Sequence, residues 1–342
     1  MKIYPFSAAV AWACCVLTQP LLGQTADPAA SPRTRAVLAY IQGLVTRHDK
    51  HVLSGQFLSY APRASLTLPE AIHRESGKWP AYIGVDYMNF DRKRVDTEAA
   101  DRVALAYWQQ GGLVEVNVHL PNPADPTGRD GGLNDTGVDL KALLAPGTPL
   151  NAAWLAELDA IAAGLAELQA SGVVVLWRPF HEMNGGWFWW GAKPTADFVA
   201  VWRHMFTYFT QTKGLHNLVW IYSPNRGDNA AEYYPGDAYA DIVGIDAYTD
   251  LVDAEHVKGA AALLKTGKPF GFGEYGPHGA SNPPGTFEYP RFAEGLAAHF
   301  PEAVFFMAWN EKWSPARNFG SRAFFSDPSI ITREDLPPEL FK

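Results

Sequence analysis

Two glutamates sit in surroundings that favour acid–base chemistry. Glu182 lies in the run Trp177-Arg178-Pro179-Phe180-His181-Glu182-Met183-Asn184-Gly185-Gly186-Trp187-Phe188-Trp189-Trp190. Glu274 lies in Phe270-Gly271-Phe272-Gly273-Glu274-Tyr275-Gly276. Each follows an apolar, strand-like run and is flanked by aromatics and glycines. Desolvation pushes such a carboxyl up, and the hydrogen bonds that reach it hold it down. Two carboxyls with opposed environments can divide the work of acid and nucleophile. Cleavage of a glycosidic bond needs that division: one group protonates the leaving oxygen while the other attacks or activates water. Either glutamate alone reads equally well as a buried ion-pair partner, Glu182 with Arg178 for instance; the pair at strand ends of one fold favours chemistry.

The aromatics point to the ligand. The chain has 12 Trp, 14 Tyr and 19 Phe among 342 residues, more indole than a core of this size needs. Apolar C–H faces of pyranose rings stack on indole, and sugar hydroxyls need paired donors and acceptors. Trp154 and Trp202 lie at helical spacing with other apolar residues and read as packing. Trp187 and Trp309 follow strand ends and read as sugar platforms, with one or two tryptophans of the Trp187–Trp190 run serving structure only.

These residues need a scaffold that gathers strand ends. Apolar, β-branched runs fall near His51–Ser54, Ala81–Val85, Gly112–Val118, Val173–Trp177, Leu218–Tyr222, Asp241–Ile245, Pro269–Phe272 and Ala303–Ala308. Helical patterns separate them. The clearest is Ala152–Gln169, with Asn151 as the expected N-cap and Gly172 as the stop; Phe198–Phe209 is another. Continuous apolar strands alternating with helices imply a parallel sheet buried on both faces. Eight such units fit a single (β/α)8 TIM barrel, with the chemistry expected just after the C-terminal strand ends. That rule selects His119, Arg178, His181, Glu182, Asn225, Asp246, Tyr248, Glu274 and Trp309. The Gly/Pro/Asp-rich stretch Leu120–Pro149 would be a large loop on the same face. No glycine-rich phosphate loop opens a helix, which disfavours a nucleotide fold.

Composition and ends bound the rest. With 28 basic and 36 acidic side chains the net charge is −8, against a nucleic-acid partner. Residues 1–23 read as an export signal: Lys2, then an apolar run from Ala8 to Leu17 too short to span a bilayer. A secreted or periplasmic protein is expected. Both cysteines, Cys14 and Cys15, fall inside that segment, so the processed chain would have neither disulfides nor thiolate chemistry. A lipid anchor on Cys14 is the alternative, disfavoured because Ala11-Trp12-Ala13 lacks the usual leucine. Residues 24–34, Ala/Pro/Ser-rich from Thr25 to Pro32, read as a short linker, and 35–342 as the catalytic barrel. A monomer without cofactor or metal is expected.

The run from Arg178 to Gly191 resembles the signature of glycoside hydrolase family 26, best known for β-mannanases. The resemblance extends to Ser54-Gly55-Gln56, Gly84-Val85-Asp86 and Ala308-Trp309-Asn310. It implies a (β/α)8 barrel and a retaining double displacement on β-1,4-mannan, endo action being expected. Glu182 would be acid/base and Glu274 nucleophile, with carboxyl groups about 5–5.5 Å apart. The resemblance further implies sugar contacts from His119 and His181, the latter where related barrel families carry asparagine. It places Arg178 as orienting the carboxylates, Tyr248 as positioning Glu274 with Asp246 nearby, and Trp187 and Trp309 around the reactive sugar. Mixed-linkage β-glucan and β-1,3-xylan are alternative polymers. A non-catalytic carbohydrate-binding barrel should have lost a carboxylate. A metallohydrolase built on His119, His181, Glu182 and Glu274 lacks a His-Glu-x-x-His spacing.

Overall fold

The structure, a computed structural model, describes residues 23–277 and 283–342. The segment read as an export signal, with Cys14 and Cys15, lies outside them except for Gly23. Eight parallel strands follow one another around a barrel: β1 (Val52–Tyr60), β2 (Tyr82–Asp86), β3 (Leu113–Asn117), β4 (Val175–Arg178), β5 (Leu218–Tyr222), β6 (Ile242–Tyr248), β7 (Phe270–Gly276) and β8 (Ala303–Ala308). Each pairs with the next, and β8 returns to β1 in the register Leu53↔Phe305 to Gln56↔Ala308, which closes the ring. A two-residue strand, Ile330–Ile331, adds to the start of β1. The fold is the expected (β/α)8 barrel.

Helix α1 (Pro32–Leu44) precedes β1; α2 (Thr67–Ser76), α3 (Glu98–Gln109), α4 (Pro149–Ala170) and α5 (Thr195–Thr207) follow β1 to β4 in turn. Then α6 (Ala260–Leu264), α7 (Pro290–His299) and α8 (Ser321–Phe325) follow β6, β7 and β8, while residues 223–241 join β5 to β6 without a helix. The start of α4 differs from the sequence expectation. Thr148 caps it, its side chain accepting from the Asn151 amide, and Pro149 occupies the first turn where no amide partner is needed. Asn151 instead turns back to donate to the Leu143 carbonyl at 2.9 Å. Gly172, at φ +74, swings the chain toward β4 as expected. Helix α5 begins earlier than Phe198, after Pro194, and widens into a π-turn over Tyr208–Thr212.

The stretch read as a linker is docked on the barrel instead. Thr25, Asp27 and Ala30 are buried, and the Ala26 amide donates to Asp241 Oδ1 at 2.6 Å. Asp27 pairs with His216 at 2.8 Å, and α1 begins within the proposed linker. Polar spacing and prolines concealed a segment whose backbone groups are satisfied by the barrel.

Strand ends differ most. β1, β6 and β7 run beyond their predicted ends, so that Gln56, Asp246, Tyr248 and Glu274 stand inside strands, not after them. Glycines and polar residues read as terminators, yet cross-strand pairing carries the strands on: Asp246↔Glu274, Ala247↔Tyr275 and Tyr248↔Gly276. In β1, Gln56 is buried among the Phe57, Ala308 and Trp309 carbonyls, with Ser314 donating to its Oε1 at 2.7 Å. This amide ties β1 to the end of β8.

Candidate active site

A bulge in β7 aims Glu274 inward. Period-two alternation would send Glu274 to the same side as Phe272, which packs outward against Phe292 of α7. The register between β6 and β7 shifts between Ile245↔Phe272 and Asp246↔Glu274, leaving Gly273 as the extra residue. Phe272 and Tyr275 both reach Phe292, Tyr275 stacking on it at 3.9 Å, while Glu274 turns into the barrel. Only glycine fits at the bulge: a Cβ on Gly273 would lie 2.0 Å from Ser223 Oγ and 2.7 Å from Asp246 Oδ1.

Glu274 is then held at both oxygens. Arg178, the last residue of β4, donates Nη2–H to Oε1 at 2.8 Å, and the Tyr248 hydroxyl donates to Oε2 at 2.6 Å. Arg178 is fully buried and also donates to Asp246 Oδ2 at 3.1 Å and to Glu115 Oε1 at 2.9 Å. Ser223 and Asp246 Oδ1 are 2.5 Å apart. One guanidinium therefore faces three buried carboxyls. Burial pushes Glu115 up to about 7, against the opposing Arg178 charge. It raises Asp246 well above the usual carboxylate range for the same reason. The Tyr248 hydroxyl is likewise pushed up by burial and by the adjoining Glu274, and remains a donor.

Glu182 has a different environment. After Arg178 the chain enters left-handed backbone at Phe180 (φ 50) and again at Glu182 (φ 55), conformations that non-glycine residues adopt at a cost. The Glu182 amide donates to the Ser223 carbonyl at 2.9 Å. Its side chain accepts from Asn225 Nδ2 on Oε1 and from Trp187 Nε1 on Oε2, each at 2.7 Å. Among the described residues, no arginine pairs with it. Burial, then the nearby Glu274 charge, push its carboxyl up to about 7, partly offset by those two donors. An oxygen of Glu182 lies within 4.8 Å of an oxygen of Glu274. Inverting enzymes hold their carboxyls about 6.5–9.5 Å apart, so the spacing is of the retaining kind.

The surrounding motif has a steric logic. The Trp187 indole lies where a Cβ on Gly185 would be, 2.2 Å from Trp187 Cη2, so glycine there lets the ring fold back toward Glu182. Trp187 remains 41% exposed, open to a ligand. Trp189 and Trp190 are fully buried and donate to the Leu120 and His181 carbonyls, both at 2.9 Å. They are structural. Trp309 departs from the expected open platform. It stacks on Phe57 at 3.8 Å with planes 5° apart and keeps only 5% of its surface exposed. Strand β1, extended past its predicted end, supplies the Phe57 ring that covers one face.

His119 and His181 meet through their Nε2 atoms at 3.1 Å, and Asp86 Oδ2 holds His119 Nδ1 at 2.7 Å. Burial pushes His181 well below its usual value, so it is neutral. The two Nε2 atoms are engaged with each other and His119 Nδ1 with Asp86, while His181 Nδ1 is buried without a partner. Among the described residues, Glu182, Asp246 and Glu274 bring oxygens close enough to share a cation, but Arg178 already neutralises two of them. Every predicted site residue thus joins one network of contacts at the C-terminal strand ends. Sequence reasoning missed Glu115 and Ser223, and noted Asp86 and Asn225 without a role. A glutamate in the middle of the apolar run Leu113-Val114-Glu115-Val116 was the available signal for Glu115.

Comparisons with known proteins agree with this geometry. The sequence model described as Glycosyl hydrolase family 26 matches residues 26–335. A mannan endo-1,4-β-mannosidase of Bacillus subtilis is 34% identical over 344 residues, covering 95% of this chain and 93% of that protein. Mannan endo-1,4-β-mannosidase A and B of Caldalkalibacillus mannanilyticus is also 34% identical, over 91% of this chain, which spans only 62% of that protein. A solved Bacillus subtilis mannanase superposes with a TM-score of 0.82 at 34% identity, over 90% of this chain and 94% of its own. The chain belongs to glycosyl hydrolase family 26.

Proposed function

We propose that this protein is a retaining endo-β-1,4-mannanase. The observation that carries the reading is the close pair Glu182 and Glu274 in opposed environments: one carboxyl held by the neutral donors Asn225 and Trp187 and pushed up to about 7, the other clamped by Arg178 and Tyr248. In the first step Glu182 gives its proton to the glycosidic oxygen as Glu274 attacks the anomeric carbon. The C–O bond to the leaving sugar breaks and an ester to Glu274 forms. Glu182, now a carboxylate, takes a proton from water, whose oxygen displaces Glu274 with net retention. Trp187 offers an exposed indole beside the acid, and the His119–His181 pair lies close by, at the same strand ends.

The mannan specificity is supported by the mannanases to which the chain is similar. Export is supported by Lys2 and the apolar run to Leu17. The test is reducing-sugar release from linear mannan, galactomannan, lichenan and β-1,3-xylan with product lengths resolved. Internal cleavage of the mannans is expected; release from lichenan or β-1,3-xylan alone would overturn the substrate assignment.

A further inference from the structure

The motif asparagine Asn184 follows Glu182 by two residues but makes no side-chain hydrogen bond to it. Its side chain instead grips the backbone of one residue from the next loop. Asn184 Oδ1 accepts from the Asn225 amide at 2.8 Å, and Asn184 Nδ2 donates to the Asn225 carbonyl at 2.8 Å. Because backbone N–H and C=O have fixed roles, this pairing also fixes which end of the Asn184 amide is oxygen. Nδ2 donates further to Asn229 Oδ1 at 3.0 Å, and Asn229 Nδ2 returns a bond to the Asn184 carbonyl at 3.3 Å. Gly227 leaves room for this pair, since a Cβ there would lie 2.9 Å from Asn229 Oδ1.

From its other side Asn225 is bracketed by β6. It forms a parallel bridge with Asp246, whose amide donates to the Pro224 carbonyl at 2.8 Å and whose carbonyl accepts from the Arg226 amide at 3.0 Å. Held between Asn184 and β6, Asn225 has one group left to direct, and its Nδ2 meets Glu182 Oε1 at 2.7 Å. We infer that Asn184 is a positioning residue: it holds Asn225 against Glu182 and through it sets the proton affinity of the acid/base. The inference rests on the reading of Glu182 as acid/base. A donor to a carboxyl stabilises the ionised form, so loss of the clamp raises the pH at which Glu182 ionises. Among the described residues, Glu274, Asp246, Tyr248, Tyr60 and His119 also act on Glu182, and the variants below leave all of them in place.

The test is a 13C NMR titration of the Glu182 side-chain carboxyl in the intact protein, assigned by its loss in Glu182→Gln. Asn225→Leu, which removes the donor, should titrate about one pH unit higher. Asn184→Ala should shift in the same direction, and the double variant no further than Asn225→Leu alone. The alkaline limb of kcat/KM should move with it. An Asn184→Ala protein with native near-UV circular dichroism and an unshifted Glu182 titration overturns the inference. If that variant does not fold, Asn229→Ala frees one Asn184 donor and should give a smaller upward shift; none would likewise overturn it. The titration needs no sugar, so failure of the mannanase reading shows separately, as an unmodified protein inactive on mannan.

Discussion

The Tyr248 hydroxyl donates to Glu274 Oε2 at 2.6 Å, on the side of the carboxylate that Arg178 leaves open. The bond orients the carboxylate proposed as nucleophile and depends on the register that sets Tyr248 opposite Gly276. Glycine at 276 is needed there, since a Cβ would lie 2.6 Å from Tyr248 Cδ1. Hydrogen bonds to charged groups contribute about 1.5–3 kcal/mol. Tyr248→Phe should therefore lower kcat/KM on mannan by about 10- to 100-fold, with little change in thermal stability. Steady-state kinetics beside a melting curve checks this; unchanged kcat/KM would remove Tyr248 from the account.

Glu182→Ala should lose about 10²- to 10⁴-fold on polymer, the usual contribution of a general acid. With an activated aryl glycoside, whose leaving group needs no protonation, the variant should still form the glycosyl-enzyme. A burst of aryl alcohol followed by slow turnover is the expected signature, and added azide should speed the second phase. Full activity on mannan would refute the acid role.

The acid must hold its proton to act. With Glu182 pushed up to about 7 by burial and by the Glu274 charge, activity should fall as pH rises through about 7. The alkaline limb of kcat/KM against pH reports this group in the free enzyme. A flat profile into the alkaline range would contradict its assignment.

Stability should follow pH in the same sense. Burial pushes Glu115 up to about 7, and Asp101 and Asp241 up to about 6. A carboxyl raised on folding contributes stability that is fully present below its unfolded pKa and lost as pH rises through the folded one. These groups should therefore lower Tm between about pH 5 and about pH 7. Glu115→Gln keeps an acceptor for Arg178 Nε and removes one ionisable group. Its Tm should decline less over that range, as thermal melts at both ends would show.

The sequence revealed the barrel because eight apolar runs alternate with helical spacing, and it revealed both glutamates because each sits among glycines and aromatics. It concealed how Glu274 faces inward, since that depends on a bulge at Gly273 which alternation alone contradicts. Glu115 was hidden as a single charge in an apolar strand, its meaning supplied only when Arg178 arrives from β4. Trp309 showed as an aromatic at a strand end, but the Phe57 ring that covers one face comes from a strand longer than its apolar pattern. Capping of α4 by Thr148 in place of Asn151 has a similar origin: both are good caps, and the Leu143 carbonyl draws Asn151 away.

The proposed retaining pair, Glu182 and Glu274, is tested most directly by the stereochemistry of the first product. Time-resolved 1H NMR of a β-1,4-mannooligosaccharide during hydrolysis separates the anomers before mutarotation. The β-anomer should appear first, followed by slow conversion to the equilibrium mixture. Initial appearance of the α-anomer would mean inversion and would contradict the assignment of Glu274 as nucleophile.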